Sequence, residues 1–136
     1  MAERSEPELH SIASARMIVS ESDLASAVGL EPGDDFPPVF ATARMVALME
    51  LAAARLLRPH LQEGESSVGV AVNVTHTAPT PVGATVTATA RFIGREGKLF
   101  VFEVSVSDGS GEVGSGTNKR AIVTTARLVA GAMKRR

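Results

Sequence analysis

Three side chains stand in settings where their chemistry could be used. Glu50 is the single non-apolar residue between Met45 and Ala54. Burying a carboxylate is costly, so a lone one on an apolar helix needs a reason. In a dry setting a glutamate serves as general base or nucleophile, or it partners a buried arginine or a backbone amide. His76 closes a run of alternating valines, where an imidazole either moves a proton near neutrality or is a satisfied core histidine. Thr42 stands at the expected start of the helix that carries Glu50. It is either a cap or a hydroxyl placed where free N–H groups favour a developing oxyanion.

The stretch that positions these groups is ATARMVALMELAAARLLR, residues 41 to 58, the strongest helical signal in the chain. The helix is expected to begin near Thr42, a possible N-cap, and to end at Arg58, because Pro59 disfavours helix in the residue before it. At about 100° per residue Arg44, Arg55 and Arg58 form one wet stripe, and Glu50 falls about 120° from Arg44. That places it on the expected dry side with Ala43, Val46, Ala47, Ala54 and Leu57. Thr42 and Glu50 are eight residues apart, about 12 Å along the axis. One helix is therefore ill suited to bring both to one acyl group, and a two-fold dimer with neighbouring helices is the natural remedy.

Around this helix the chain reads as strands. Residues 13 to 19 form the first, followed by a short helix SDLASAVG with Ser20 or Ser22 as cap and Gly29 as stop. Residues 31 to 38, EPGDDFPP, are loop chemistry and carry Phe36, either an edge plug or a lid over a pocket. SSVGVAVNVTHTAPT places Val68, Val70, Val72, Val74 and His76 on one face if no bulge intervenes. ATVTATARF alternates, and Gly94 to Gly97 is expected as its turn. LFVFEVSVS and VGSGTNKRAIVTTARLV complete the set; Arg120 in the last could bind a phosphate or cover a strand edge. The glycines of VGSGT lack the strand–helix context of a phosphate loop. Short turns imply an antiparallel sheet, and one long apolar helix needs a surface to cover it, so the expected class is α+β with the helix as filling. A tail over residues 1–12, one domain over 13–128 and a basic tail over 129–136 complete the expected plan.

Bulk properties narrow the function. The 136 residues carry a net charge of −1 and are 44% apolar, ordinary for a globular domain and without a field that recruits nucleic acid or membrane. Five phenylalanines are the only aromatics, a poor provision for stacking bases. There is no cysteine, which removes disulfides, thiol nucleophiles and thiolate metal sites. His10, His60 and His76 show no metal-ligand spacing. The polar, acidic N-terminus does not read as a signal peptide and no run reaches membrane-spanning length, so a cytoplasmic location is expected.

Taken together, FAT…M…LME, G…VTHTA.TP and GSGT..RA, within residues Phe36 to Val123, resemble the fluoroacetyl-CoA thioesterase family, a branch of the hotdog-fold acyl-CoA thioesterases. The resemblance implies a long helix wrapped by an antiparallel sheet, a homodimer with its site at the interface, and hydrolysis of an acyl-CoA thioester with no cofactor beyond the substrate's own CoA. Carried over by position, it implies that Thr42, Glu50 and His76 are catalytic. Glu50 would be nucleophile or general base, His76 would polarise the carbonyl and move a proton, and Thr42 would orient the reacting groups. It implies that Gly69 and Arg120 help bind the CoA thioester, and that Phe36 is one of the family's two lid phenylalanines. The other position holds Gly33, so the implied acyl group is short or medium rather than fluoroacetyl alone. A hotdog domain that binds acyl-CoA or an acyl-carrier thioester without hydrolysing it is the competing expectation. A hydratase or dehydratase on the same fold fits less well, because its usual Asp and His pair is absent.

Overall fold

The computed structural model describes residues 4–136. Strand β1 (Ile12–Ile18) leads through two single-turn 3-10 segments, Glu21–Asp23 and Ala25–Ala27, and a loop to helix α1 (Thr42–Leu57). Four strands follow, β2 (Glu65–His76), β3 (Thr85–Glu96), β4 (Leu99–Asp108) and β5 (Gly111–Thr124), and then helix α2 (Thr125–Met133). They make one antiparallel sheet in the order β1-β3-β4-β5-β2. Helix α1 touches all five strands, most extensively β1 and β3. This is the α+β arrangement of a helix wrapped by a sheet.

The helix buries Met45, Leu48, Met49, Ala52, Ala53, Leu56 and Leu57, the i, i+3, i+4, i+7 spacing of a core-facing stripe. Opposite them lie Val86, Ala88, Ala90 and Phe92 of β3 and Phe100, Phe102, Val104 and Val106 of β4. Each large side chain so enclosed contributes about 1.5–3 kcal/mol through removal from water. Gly114 and Gly116 of β5 have a packing role. A Cβ on Gly114 would strike the sulfur of Met45, and one on Gly116 would strike the Asn73 carbonyl and Val74.

Several local expectations are corrected. Thr42 is the first helical residue rather than the cap; extended Ala41 holds the cap position, and its carbonyl accepts from the Arg44 and Met45 amides. The expected helix SDLASAVG is broken at Leu24, whose extended backbone bridges Phe40 and leaves only two 3-10 turns. Gly94 lies in a bulge of β3, and the turn itself is Gly97–Lys98, between the paired residues Glu96 and Leu99. The last strand stops at Thr124, and the following residues coil into exposed α2. At the other end, Arg4 donates to Glu65 through two bonds of 2.9 and 2.6 Å.

The correction that matters most lies in β2. Pairing with β5 shifts register between Gly69 and Ala71. Directly paired residues of an antiparallel ladder share a face, so Gly69 lies on the same face as Arg120, and Val72 on the same face as Asn118. Gly69 and His76 differ by an odd number of positions and would face opposite sides of a regular strand. The bulge places both on the helix side. The valine face does not run unbroken. Val70 and Val72 are 54% and 40% exposed, because β2 is the edge of the sheet.

Candidate active site

The junction between loop and α1 is tied from three sides. The Ala41 amide donates to the Asp23 carbonyl, the Phe40 amide to the Thr80 carbonyl, and Leu24 bridges Phe40. Asp23, which the sequence reading did not single out, is 3% exposed. Its carboxylate accepts from the amide and hydroxyl of Ser20 at 2.8 Å and from Nε of Arg44 at 2.9 Å. Burial pushes the Asp23 carboxyl up, but the Ser20 bonds and Arg44 outweigh it and hold the group below the usual carboxylate range. Fixed in this way, α1 presents Thr42 to the end of β2, and the Thr42 hydroxyl lies 2.8 Å from Nδ1 of His76. The His76 ring stands edge-on to buried Phe40 with centroids 6.4 Å apart. Its Nε2 is buried and has no hydrogen-bond partner among the described residues. With the hydroxyl donating to Nδ1, Nε2 carries the proton. Thr42 and His76 border a cleft of about 310 Å³ that Pro37, Val39, Ala78 and Pro79 also line.

Glu50 faces a different environment. Its Oε2 accepts from Nη1 of Arg120 at 3.0 Å, so the carboxylate is one half of an ion pair with an arginine of β5. The expected dry side of α1 is only partly dry. Ala43 and Ala47 are exposed, Val46 and Ala54 half-buried, Leu57 buried, and the Glu50 side chain is 32% exposed. Gly69 is what admits the carboxylate to the sheet: a Cβ there would collide with Oε2. Arg120 is 6% exposed. Burial presses its guanidinium below the ordinary arginine value while Glu50 acts in the opposite sense; an arginine remains charged throughout. The remaining bonds of that guanidinium go to Ser67 and Asn118, neither of which the sequence reading named. The signal was available for Asn118, since alternation puts it on the same face as Arg120.

Thr42 and His76 thus meet directly, and Glu50, Arg120 and Gly69 meet directly. The two groups lie apart along α1. Phe36 joins neither group. It is 48% exposed on the loop whose next residue, Pro37, borders the cleft. A side chain at Gly33 would meet nothing within 4 Å. Among the described residues there is no group of three His, Cys, Asp or Glu side chains that could hold a metal ion.

The comparisons agree with this architecture. The family model for fluoroacetyl-CoA-specific thioesterase matches residues 19–126. A fluoroacetyl-CoA thioesterase from Streptantibioticus cattleyicolor is 52% identical over 89 residues, which is 65% of this chain and 64% of that one; the match thus spans just under two thirds of the relative. A solved structure of the fluoroacetyl-CoA thioesterase FlK superposes with a TM-score of 0.91 at 36% identity, covering 97% of this chain and 99% of the other. A hot-dog-like protein from Thermanaerovibrio acidaminovorans superposes with a TM-score of 0.79 at 28% identity, over 93% and 91% of the two chains. The chain belongs to the fluoroacetyl-CoA-specific thioesterase family and has its hotdog fold.

Proposed function

We propose that the protein hydrolyses a short or medium acyl-CoA to the free acid and CoA, at a site assembled from Thr42 and His76 of one subunit and Glu50 of another. The observation that carries this reading is the Thr42–His76 pair, with Nε2 buried, unpartnered among the described residues and beside an open cleft. An Nε2–H held in that way, at the positive end of α1, is placed to donate to a thioester carbonyl and to the oxyanion that forms from it. Glu50 takes a proton from water as the water attacks the carbonyl carbon, or attacks that carbon itself. The CoA sulfur leaves as the tetrahedral centre collapses and picks up a proton. In the second route water then cleaves the glutamyl anhydride. Nothing in this chemistry needs a metal or a further cofactor.

The homodimer is supported by the separation of the two groups and by what surrounds Glu50. Leu51, Val70 and Val72 are exposed, and no strand among the described residues pairs with the outer edge of β2. A second copy laid along that edge would cover the apolar residues and bring the helices together. For the acyl end, Phe36 and the empty space at Gly33 favour a lid with one aromatic, and so a substrate not restricted to fluoroacetyl-CoA. No described helix is long and apolar enough to cross a membrane; a CoA thioester substrate suits a cytoplasmic location.

One observation favours a second reading. The Glu50–Arg120 ion pair is also what a purely structural glutamate would make, as in a hotdog domain that binds acyl-CoA or acyl-carrier thioesters without cleaving them. Thiol release from a panel of acyl-CoAs, with acetyl-CoA and fluoroacetyl-CoA side by side, separates the two. Turnover of short or medium chains is expected. Silence across the panel with free CoA still bound would put the binding module in its place.

A further inference from the structure

We infer that Arg120 is a positioning residue for the Glu50 carboxylate and not a contact of the CoA moiety, and that Ser67 and Asn118 hold it in that role. The inference rests on the hydrolase reading above and changes the part that the family resemblance implies for Arg120.

The geometry of the guanidinium carries it. Nε donates to the Ser67 hydroxyl at 3.2 Å and Nη2 to the Ser67 carbonyl at 3.1 Å. Nη1 donates to Glu50 Oε2 at 3.0 Å and to Asn118 Oδ1 at 3.3 Å. Arginine has five N–H donors in a rigid fork, and these four bonds fix the fork's plane and rotation. Buried to 6% exposure, the group has little surface left for a phosphate or a pantetheine amide. Asn118 is itself fully buried, and its Nδ2 donates to the Ala71 carbonyl at 3.1 Å. That carbonyl stands at the bulge that sets the facing of β2. The same amide group therefore fastens the bulge with one end and Arg120 with the other. Among the described residues only Oε2 of Glu50 is engaged, so the guanidinium holds one carboxylate oxygen and leaves Oε1 to the reaction. A pre-aligned base or nucleophile owes its rate to such fixed geometry.

The test compares wild type with Arg120→Met, Arg120→Lys and Ser67→Ala, using acyl-CoA turnover for kcat and KM and calorimetric titration with free CoA for affinity. Arg120→Met should lose about 100-fold in kcat while KM stays within about threefold. The CoA dissociation constant should be unchanged. Arg120→Lys keeps the charge and should recover part of the rate. Ser67→Ala removes only the Nε partner; it keeps the readout alive should Arg120→Met fail to fold, and should lower kcat severalfold at constant KM. A tenfold or greater loss of CoA affinity in either Arg120 variant, or a rise in KM with kcat preserved, would overturn the inference, as would an unaltered kcat in both Arg120→Met and Ser67→Ala. A wild type without turnover would sink the hydrolase reading instead, and the CoA titration would still decide whether Arg120 touches CoA.

Discussion

At the start of α1, Thr42 and His76 share one hydrogen bond at the lip of an open cleft. About two turns later, Glu50 leans on a guanidinium that four bonds hold from the sheet. In the first group the buried Nε2 of His76 has no partner among the described residues. The second is an ion pair whose cation is buried and almost fully bonded. On the proposed reading, the contrast separates two ways of preparing a side chain for chemistry. His76 is oriented by a single neighbour and keeps a donor in reserve. Glu50 is aimed by its opposite charge and keeps one oxygen in reserve.

If that division of labour is right, the largest effect should come from the carboxylate. Glu50→Gln keeps the shape and removes both base and nucleophile, and turnover should fall by about 10²–10⁴-fold with the fold intact; activity like that of wild type, measured by thiol release, would end the assignment. His76→Ala removes the reserved donor and should cost about 10²–10³-fold in the chemical step. CoA affinity by titration should change far less, and a loss confined to affinity would move His76 out of the reacting group. Gly69→Ala replaces neither reacting group, yet its Cβ displaces Oε2. A carboxylate moved by about 1 Å should cost up to about 100-fold in kcat, whereas a KM effect alone would mean that Gly69 serves the substrate directly.

The smallest effect concerns the anchor of the first group. The Asp23 carboxyl is held below the usual carboxylate range in the folded chain, so the unfolded chain binds its proton at the higher pH. The stability it contributes is complete above the unfolded value, about pH 4, and disappears as pH falls through the folded value. Melting temperature followed from pH 6 to pH 3 should decline more steeply in wild type than in Asp23→Asn. Parallel curves would show that the Ser20 and Arg44 bonds add nothing measurable.

The parts of this arrangement that were legible in the sequence are those that a single element specifies. The apolar stripe of α1, the alternation of β3 from Val86 to Phe92, and the antiparallel order follow from periodicity and short turns. Glu50 and His76 were visible because each interrupts an apolar pattern. The register shift at Gly69 was not legible, because a bulge is decided by pairing with β5 and not by β2 alone. For the same reason the sequence kept two meanings for Glu50, catalytic group or arginine partner, and the fold shows that the partnership exists. Thr42 looked like a cap because threonine usually is one there; here Ala41 takes the cap position and frees the hydroxyl for His76. Ser67 was missed because its partner Arg120 comes from a remote segment; Asp23 was missed although its spacing from Ser20 is that of a capping box, because its pairing with Arg44 joins separate elements.

The intact α1 between Thr42 and Glu50 also has a consequence for how the protein can change. A helix works as a ruler: inserting or deleting one residue between these positions would turn Glu50 by about 100° and shift it by about 1.5 Å. The carboxylate would leave Gly69 and Arg120 together. Point substitution on the exposed side of the helix changes neither quantity. The loop that carries Gly33 and Phe36 is outside the ruler, and a side chain at position 33 has open space before it. On the proposed reading, acyl-chain preference and chemical competence sit on separate stretches of chain: the first on a loop with room for a side chain at position 33, the second on a helix whose length sets where Glu50 falls.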